Sequence, residues 1–160
     1  MPISASPQLA AAPSRSNIRS AVLGAGAILA VAANAVVATG GVAAGASPSF
    51  GPLSVPAYAT FTLIAFALAH IGWRVVRARA SNPERLLRVL VPVATVLSFI
   101  PDGVLLATGF IPGSSPTAVA ALAIMHLVVV AVVVPVSRVV APLAARGSRM
   151  RNAVAPSPVA

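Results

Sequence analysis

The sequence contains no cysteine and no lysine, and its only acidic residues are Glu84 and Asp102. The lack of cysteine excludes disulfide bonds, thiolate metal ligands and cysteine nucleophiles. Charged residues make up 8% of the chain, against roughly 25% in soluble domains, so polar side chains are too few to cover a water-exposed surface. Aromatic residues amount to 4%, too few for a platform on which nucleic-acid bases stack. Nucleic acid is therefore not an expected partner, although the net charge is +9.

The sequence consists largely of long apolar runs. Hydrophobic residues make up 58% of the chain, and the mean hydropathy is +0.96. No charged residue lies between Arg19 and Arg74. Because about 20 residues span the hydrocarbon core of a bilayer, this stretch is too long for one helix and has to fold back. The composition predicts an all-α integral membrane protein.

Turn residues divide the chain into four predicted transmembrane helices, at about 20–44, 55–77, 83–108 and 116–140. Residues 45–52 are dense in Gly, Pro and Ser and supply the first turn. Asn82-Pro83 and Ser115-Pro116 pair an N-cap residue with proline at the first helical position, which is typical of helix starts. The domain is expected over residues 18–142, between disordered tails at 1–17 and 143–160.

The third span has an ambiguous end. Pro92 is expected to kink it, and Pro101-Asp102-Gly103 is a turn signal after which apolar residues resume. Either the helix ends near Ile100 and a short segment follows at the interface, or a kinked helix continues to about Thr108. A kinked or broken end is the favoured interpretation.

The arginines predict the orientation. They precede the first span, surround the connection between the second and third, and follow the fourth: Arg15, Arg19, Arg74, Arg77, Arg79, Arg85, Arg88, Arg138, Arg146, Arg149 and Arg151. Four spans place all of them on one side, which the positive-inside rule makes cytoplasmic. This predicts an up-down-up-down bundle with both termini cytoplasmic, and Arg clusters that attract anionic lipids. An alternative is that the first span is a signal peptide cleaved at Ala44-Gly45-Ala46, which leaves three spans.

Polar residues inside the spans are the candidates for function. Asn34, Thr95, Ser98, Asp102 and His126 fall in the middle and outer parts of the first, third and fourth spans, where they are expected to meet as one polar cluster. A functional interpretation is a proton relay or a small-ligand site. The favoured alternative is hydrogen bonding between helices, worth about 0.6–2 kcal/mol per contact.

Other features carry less chemistry. His70, near Trp73, is expected in an interfacial belt with a snorkelling arginine. His70 and His126 lie at different depths without a nearby carboxylate or thiolate set, so no metal or other cofactor is expected. Gly26, Ala30 and Asn34 share one helix face, which suits close helix packing either within the bundle or in a homo-oligomer or partner complex. No nucleophile elbow, phosphate-binding loop or zinc-protease motif is present, so no enzyme is expected.

Residues 117–135, TAVAALAIMHLVVVAVVVP, contain the pattern Ala-Leu-x-x-Met-His before small and branched residues and a proline. This resembles the fourth-helix signature of a family of actinobacterial membrane proteins catalogued as a domain of unknown function. The resemblance implies about four spans and a bacterial cytoplasmic membrane. It implies no activity and no site residues beyond the match at Met125-His126.

Two functions are carried forward from the sequence. In the first, the protein is a non-catalytic membrane component or accessory subunit that packs against partners or against itself. In the second, it is a small transporter or channel subunit built around His126 and Asn34. A transporter requires polar residues along a continuous path, whereas a packing component requires only isolated hydrogen bonds.

Overall fold

The computed structural model describes residues 14–143, and within that range it contains five α-helices and no strand. The helices are α1 (Arg15–Ala43), α2 (Val55–Arg79), α3 (Pro83–Ser98), α4 (Ile100–Thr108) and α5 (Pro116–Val140), with a 3-10 turn at Gly51–Leu53. Because α3 and α4 together form one span, four helical segments are long and apolar enough to cross a membrane. The all-α, four-span prediction is confirmed. The up-down-up-down crossing of a bilayer stays a prediction.

The first helix begins earlier than the sequence predicts. Residues 15–17, predicted as part of a tail, are the first residues of α1. The side-chain oxygen of Ser14 accepts a hydrogen bond from the backbone N–H of Asn17 at 3.3 Å, and this cap starts the helix there. The rest of the predicted tails, at 1–13 and 144–160, lies outside the described residues.

The third span breaks at Phe99. Pro101 is the second residue of α4 and has no N–H, so the carbonyl of Leu97 cannot receive the usual bond from four residues ahead. The helix is therefore interrupted at Phe99, and α4 then continues to Thr108. Pro92 lies inside α3 without ending it. Gly109 ends α4 in the left-handed conformation, with φ of +60°.

Among the described helices, α1 and α5 have the most extensive contact. A Cβ atom built at Gly41 would lie 2.9 Å from the Cβ of Ala121, and one built at Gly26 would lie 2.8 Å from a methyl carbon of Val136. The buried face of α1 consists of Gly26, Ala30, Asn34 and Ala38. The small-residue face therefore packs inside the chain, and does not present itself to a second molecule.

The outer surface is apolar. Ile28, Val36 and Val139 are each 70% exposed or more, and many other large apolar side chains are exposed with them. Soluble monomers rarely expose contiguous apolar patches beyond a few hundred Å², so this surface suits lipid. The α3–α4 span packs less closely on α2 and α5 than α1 does, and this looser packing leaves a groove between them.

A polar-lined groove and a basic pocket

A groove of about 800 Å³ lies between α2, the α3–α4 span and α5. Its walls are mostly apolar. All five residues of the predicted polar cluster line it, namely Asn34, Thr95, Ser98, Asp102 and His126. Their polar contacts nevertheless divide them into three separate groups.

Asn34 forms the first group with a residue of the second span. Its side-chain Nδ2 donates to Oγ1 of Thr62 at 2.7 Å, and the two residues are 2% and 4% exposed. The carbonyl oxygen Oδ1 of Asn34 is buried without a hydrogen-bond partner within residues 14–143. This hydrogen bond joins α1 to α2 near the middle of both helices, and it keeps the two polar side chains out of contact with lipid.

Asp102 and His126 form the second group, between α4 and α5. Oδ2 of Asp102 lies 3.4 Å from Nδ1 of His126, but without hydrogen-bond geometry. Nδ1 of His126 is 2.9 Å from the carbonyl oxygen of Leu122, one turn earlier on α5. A carbonyl oxygen only accepts, so this contact places a proton on Nδ1. The ring of Phe99 packs edge-on against the imidazole, with a centroid distance of 6.0 Å.

Thr95 and Ser98 form the third group, which is internal to α3. Oγ1 of Thr95 donates to the carbonyl oxygen of Val91 at 2.8 Å, and Oγ of Ser98 donates to the carbonyl oxygen of Thr95 at 2.7 Å. These are the bonds that hydroxyl side chains commonly make to the preceding helical turn. Thr95 and Ser98 thus line the groove without bonding to Asp102 or His126.

The side chain of His70 lies inside the bundle and faces α5, while its expected depth at the membrane interface stays a prediction. It is 9% exposed, and its Nδ1 lies 3.0 Å from Oγ of Ser137 on α5. One turn later, the indole N–H of Trp73 donates to the carbonyl oxygen of Ala141 at 3.0 Å. The cause is the period of α2, in which Thr62, Phe66, His70 and Trp73 form one buried stripe.

Two of these polar partners, Thr62 and Ser137, are missing from the cluster that the sequence predicts. Thr62 and Ser137 are hydroxyl residues in apolar helices, and the hydroxyl groups of such residues usually bond to the backbone of their own helix. The available signal was the spacing of Thr62, Phe66 and His70 at intervals of four, which places Thr62 on the face of α2 that carries His70. Nothing in the spacing of α5 distinguishes Ser137 from its neighbours.

A smaller pocket, of about 190 Å³, lies at the end of the bundle that carries the arginines. Arg88, Arg138 and Glu84 line it, together with the ring of Trp73 and apolar side chains. Glu84 and Arg88, one turn apart on α3, form an ion pair of 2.8 Å. Beside this pocket, a guanidinium nitrogen of Arg77 donates to the carbonyl oxygen of Pro142 at 3.3 Å.

Within the described part of the chain, no three His, Asp or Glu side chains gather in a group that could hold a metal ion. The two carboxylates lie in different parts of the molecule, Glu84 at the basic pocket and Asp102 beside His126. Acid–base work across one bond requires both groups at one place, so this pair is unsuited to it.

A family of unknown function, DUF6069, matches the chain over residues 13–142. No curated protein and no solved structure matches the chain.

Proposed function

The chain belongs to the family of unknown function DUF6069, and we propose that within a membrane it acts as a non-catalytic component or accessory subunit. On this proposal, its four apolar spans pack against another membrane protein or against a second copy. The membrane is the bacterial cytoplasmic membrane, with both termini on the cytoplasmic side.

The separation of the intramembrane polar groups carries this proposal. Asn34 bonds to Thr62, His70 contacts Ser137, and Thr95 and Ser98 bond to their own helix. The first two contacts join neighbouring helices and the last is internal to α3, and among the described residues no hydrogen bond links one of these groups to another. A permeation pathway would require polar groups that continue from one end of the groove to the other.

The orientation is supported by the charges at the helix ends. Among the described residues, arginines occupy the start of α1, the end of α2, the start of α3 and the end of α5. The connections at 44–54 and 109–115 carry no charged residue. This asymmetry is what the positive-inside rule uses to place the arginine side in the cytoplasm.

The test is purification from the native membrane in a mild detergent, after cross-linking, with mass spectrometry of what co-elutes. We expect a stoichiometric membrane protein or a defined homo-oligomer. A monomer without a stoichiometric protein partner, in both cross-linked and untreated membranes, would contradict the proposal.

A specific observation favours a second candidate, a transporter or channel subunit. Oδ1 of Asn34 and Oδ2 of Asp102 are buried without hydrogen-bond partners within residues 14–143, and both side chains line the groove, as does His126. Unpaired acceptors at membrane depth are costly, and they are found along ion and proton pathways.

The two candidates differ in proton flux. Purified protein in vesicles loaded with a pH-sensitive dye would conduct protons under an imposed potential if it were a transporter, and His126→Leu would abolish that flux. The matched control is Thr39→Val on the exposed part of α1, which should leave any flux unchanged. As a packing component, the protein is expected to give no flux above that of empty vesicles.

A further inference from the structure

The basic pocket contains more positive charge than the chain can neutralise. The sequence has eleven arginines and two acidic residues. Glu84 is paired with Arg88, and Asp102 lies beside His126 at the other end of α5. Neither acidic side chain forms an ion pair with Arg138, which lines the same pocket as Arg88 and Glu84. The pocket has a net charge of +1 and suits an anion.

The pocket has an apolar wall as well as a charged one. The indole N–H of Trp73 is already bonded to the carbonyl oxygen of Ala141, so Trp73 offers its ring to the pocket. Trp residues characteristically lie at the level of lipid headgroups, where an apolar ring meets a polar boundary. Leu87 and Val134 complete this wall.

The basic pocket and the large groove adjoin each other. Trp73, Leu87, Val91 and Val134 line both of them. From these shared residues the groove extends along the span between apolar side chains such as Leu90, Ala94 and Val130. Its volume of about 800 Å³ falls in the range of roughly 300–1,000 Å³ that is typical of ligand sites.

We propose that the pocket and groove together form a binding site for one anionic phospholipid. The phosphate lies against Arg138 and Arg88, and one acyl chain lies in the groove between α2, α3 and α5. Basic pockets between transmembrane helices on the cytoplasmic side suit phospholipid headgroups, and the order of charge and apolar surface here is the order of headgroup and chain. This site goes beyond the proposed function, since it requires neither a protein partner nor a transported substrate.

Native mass spectrometry of the purified full chain tests the site. The protein in detergent is titrated with phosphatidylglycerol and, separately, with phosphatidylcholine of the same acyl chains. We expect a 1:1 adduct with a preference for phosphatidylglycerol. Arg138→Gln should lower the affinity for phosphatidylglycerol about five-fold, the effect of one arginine near an anionic headgroup. Phosphatidylcholine carries the same phosphate beside a quaternary ammonium, so its weaker binding should fall by a smaller factor.

Two further variants separate this site from general attraction. Arg79→Gln removes an arginine at the exposed end of α2 that does not line the pocket, so it should leave the adduct unchanged. Ala94→Trp fills the groove from an exposed position on α3, where the larger side chain is tolerated. It should lower the affinity for both lipids.

Three results would overturn the proposal. Equal affinity for the two lipids would mean that the site does not recognise the charge of the headgroup. An equal loss in Arg79→Gln and Arg138→Gln would mean diffuse attraction to the basic end. An unchanged adduct in Ala94→Trp would mean that no acyl chain lies in the groove. None of these outcomes bears on the co-purification of a protein partner, so the lipid site and the proposed function can fail separately.

Discussion

Two adjacent glycines of α1 provide a controlled test of the packing between α1 and α5. A Cβ atom at Gly41 would lie 2.9 Å from the Cβ of Ala121, whereas one at Gly40 would meet nothing within 4 Å. Carbon atoms in van der Waals contact lie about 3.5–4.0 Å apart. In Gly41→Ala, the two Cβ atoms therefore have to move apart by roughly 0.6–1 Å. The Cβ of Ala121 is attached directly to the backbone and cannot rotate away, so the helices themselves have to move.

The expected free energies differ in sign between the two variants. Replacing glycine by alanine inside a helix stabilises it by about 0.5–1 kcal/mol, and Gly40→Ala should show this gain alone. Gly41→Ala should also incur the cost of overpacking, about 1–3 kcal/mol. The free energy of unfolding of Gly41→Ala should therefore lie about 1–3 kcal/mol below that of Gly40→Ala.

The fluorescence of Trp73, the single tryptophan of the chain, reports the unfolding. It is 4% exposed and lies on α2, away from both substitutions. Detergent-solubilised protein is titrated with sodium dodecyl sulfate, and the midpoints of the two variants are compared with that of the unchanged protein. Equal midpoints for Gly40→Ala and Gly41→Ala would refute the close approach of α1 to Ala121.

Three other experiments test the structure by unfolding in sodium dodecyl sulfate, the first two followed by the fluorescence of Trp73. A double-mutant cycle with Asn34→Ala and Thr62→Ala should give a coupling of about 0.6–1.7 kcal/mol, and additive effects would mean that the 2.7 Å hydrogen bond is absent. Gly109→Ala forces alanine into the left-handed conformation and should destabilise by about 1–2 kcal/mol, whereas Gly103→Ala, inside α4, should not. Trp73→Phe removes the bond from the indole N–H and should cost about 0.5–1.5 kcal/mol, measured by circular dichroism, and an unchanged midpoint would argue against that bond.

The helices were largely predictable because their ends carry local signals. Asn82 accepts a hydrogen bond from the N–H of Arg85, and Ser115 accepts one from that of Ala118, as expected of N-caps before proline. The start of α1 was less clear, because serine at position 14 competes with other serines and a proline nearby in the sequence. Capping chemistry selects one of them only when the helix is present.

The grouping of the polar residues was less predictable than their position along the spans. Helix length and rise give the positions of Asn34, Asp102 and His126 along their spans, but not the partners of their side chains. The partners depend on the rotation and approach of neighbouring helices, which four apolar spans leave poorly specified. Asn34 therefore meets Thr62 of α2, a residue outside the predicted cluster. His70 is buried for the same reason, since the face that packs on α5 is set by the whole stripe of α2.

The claim on which both proposals depend is that four spans cross the membrane with the arginine end in the cytoplasm. The chain has no cysteine, so Ser49→Cys and Ser81→Cys each introduce a single thiol, at exposed positions in opposite connections. Membrane-impermeant maleimide is applied to spheroplasts before and after permeabilisation. The account predicts that Cys at position 49 reacts with intact spheroplasts and that Cys at position 81 reacts only after permeabilisation. Labelling of both positions from the same side, or with the opposite preference, would contradict it.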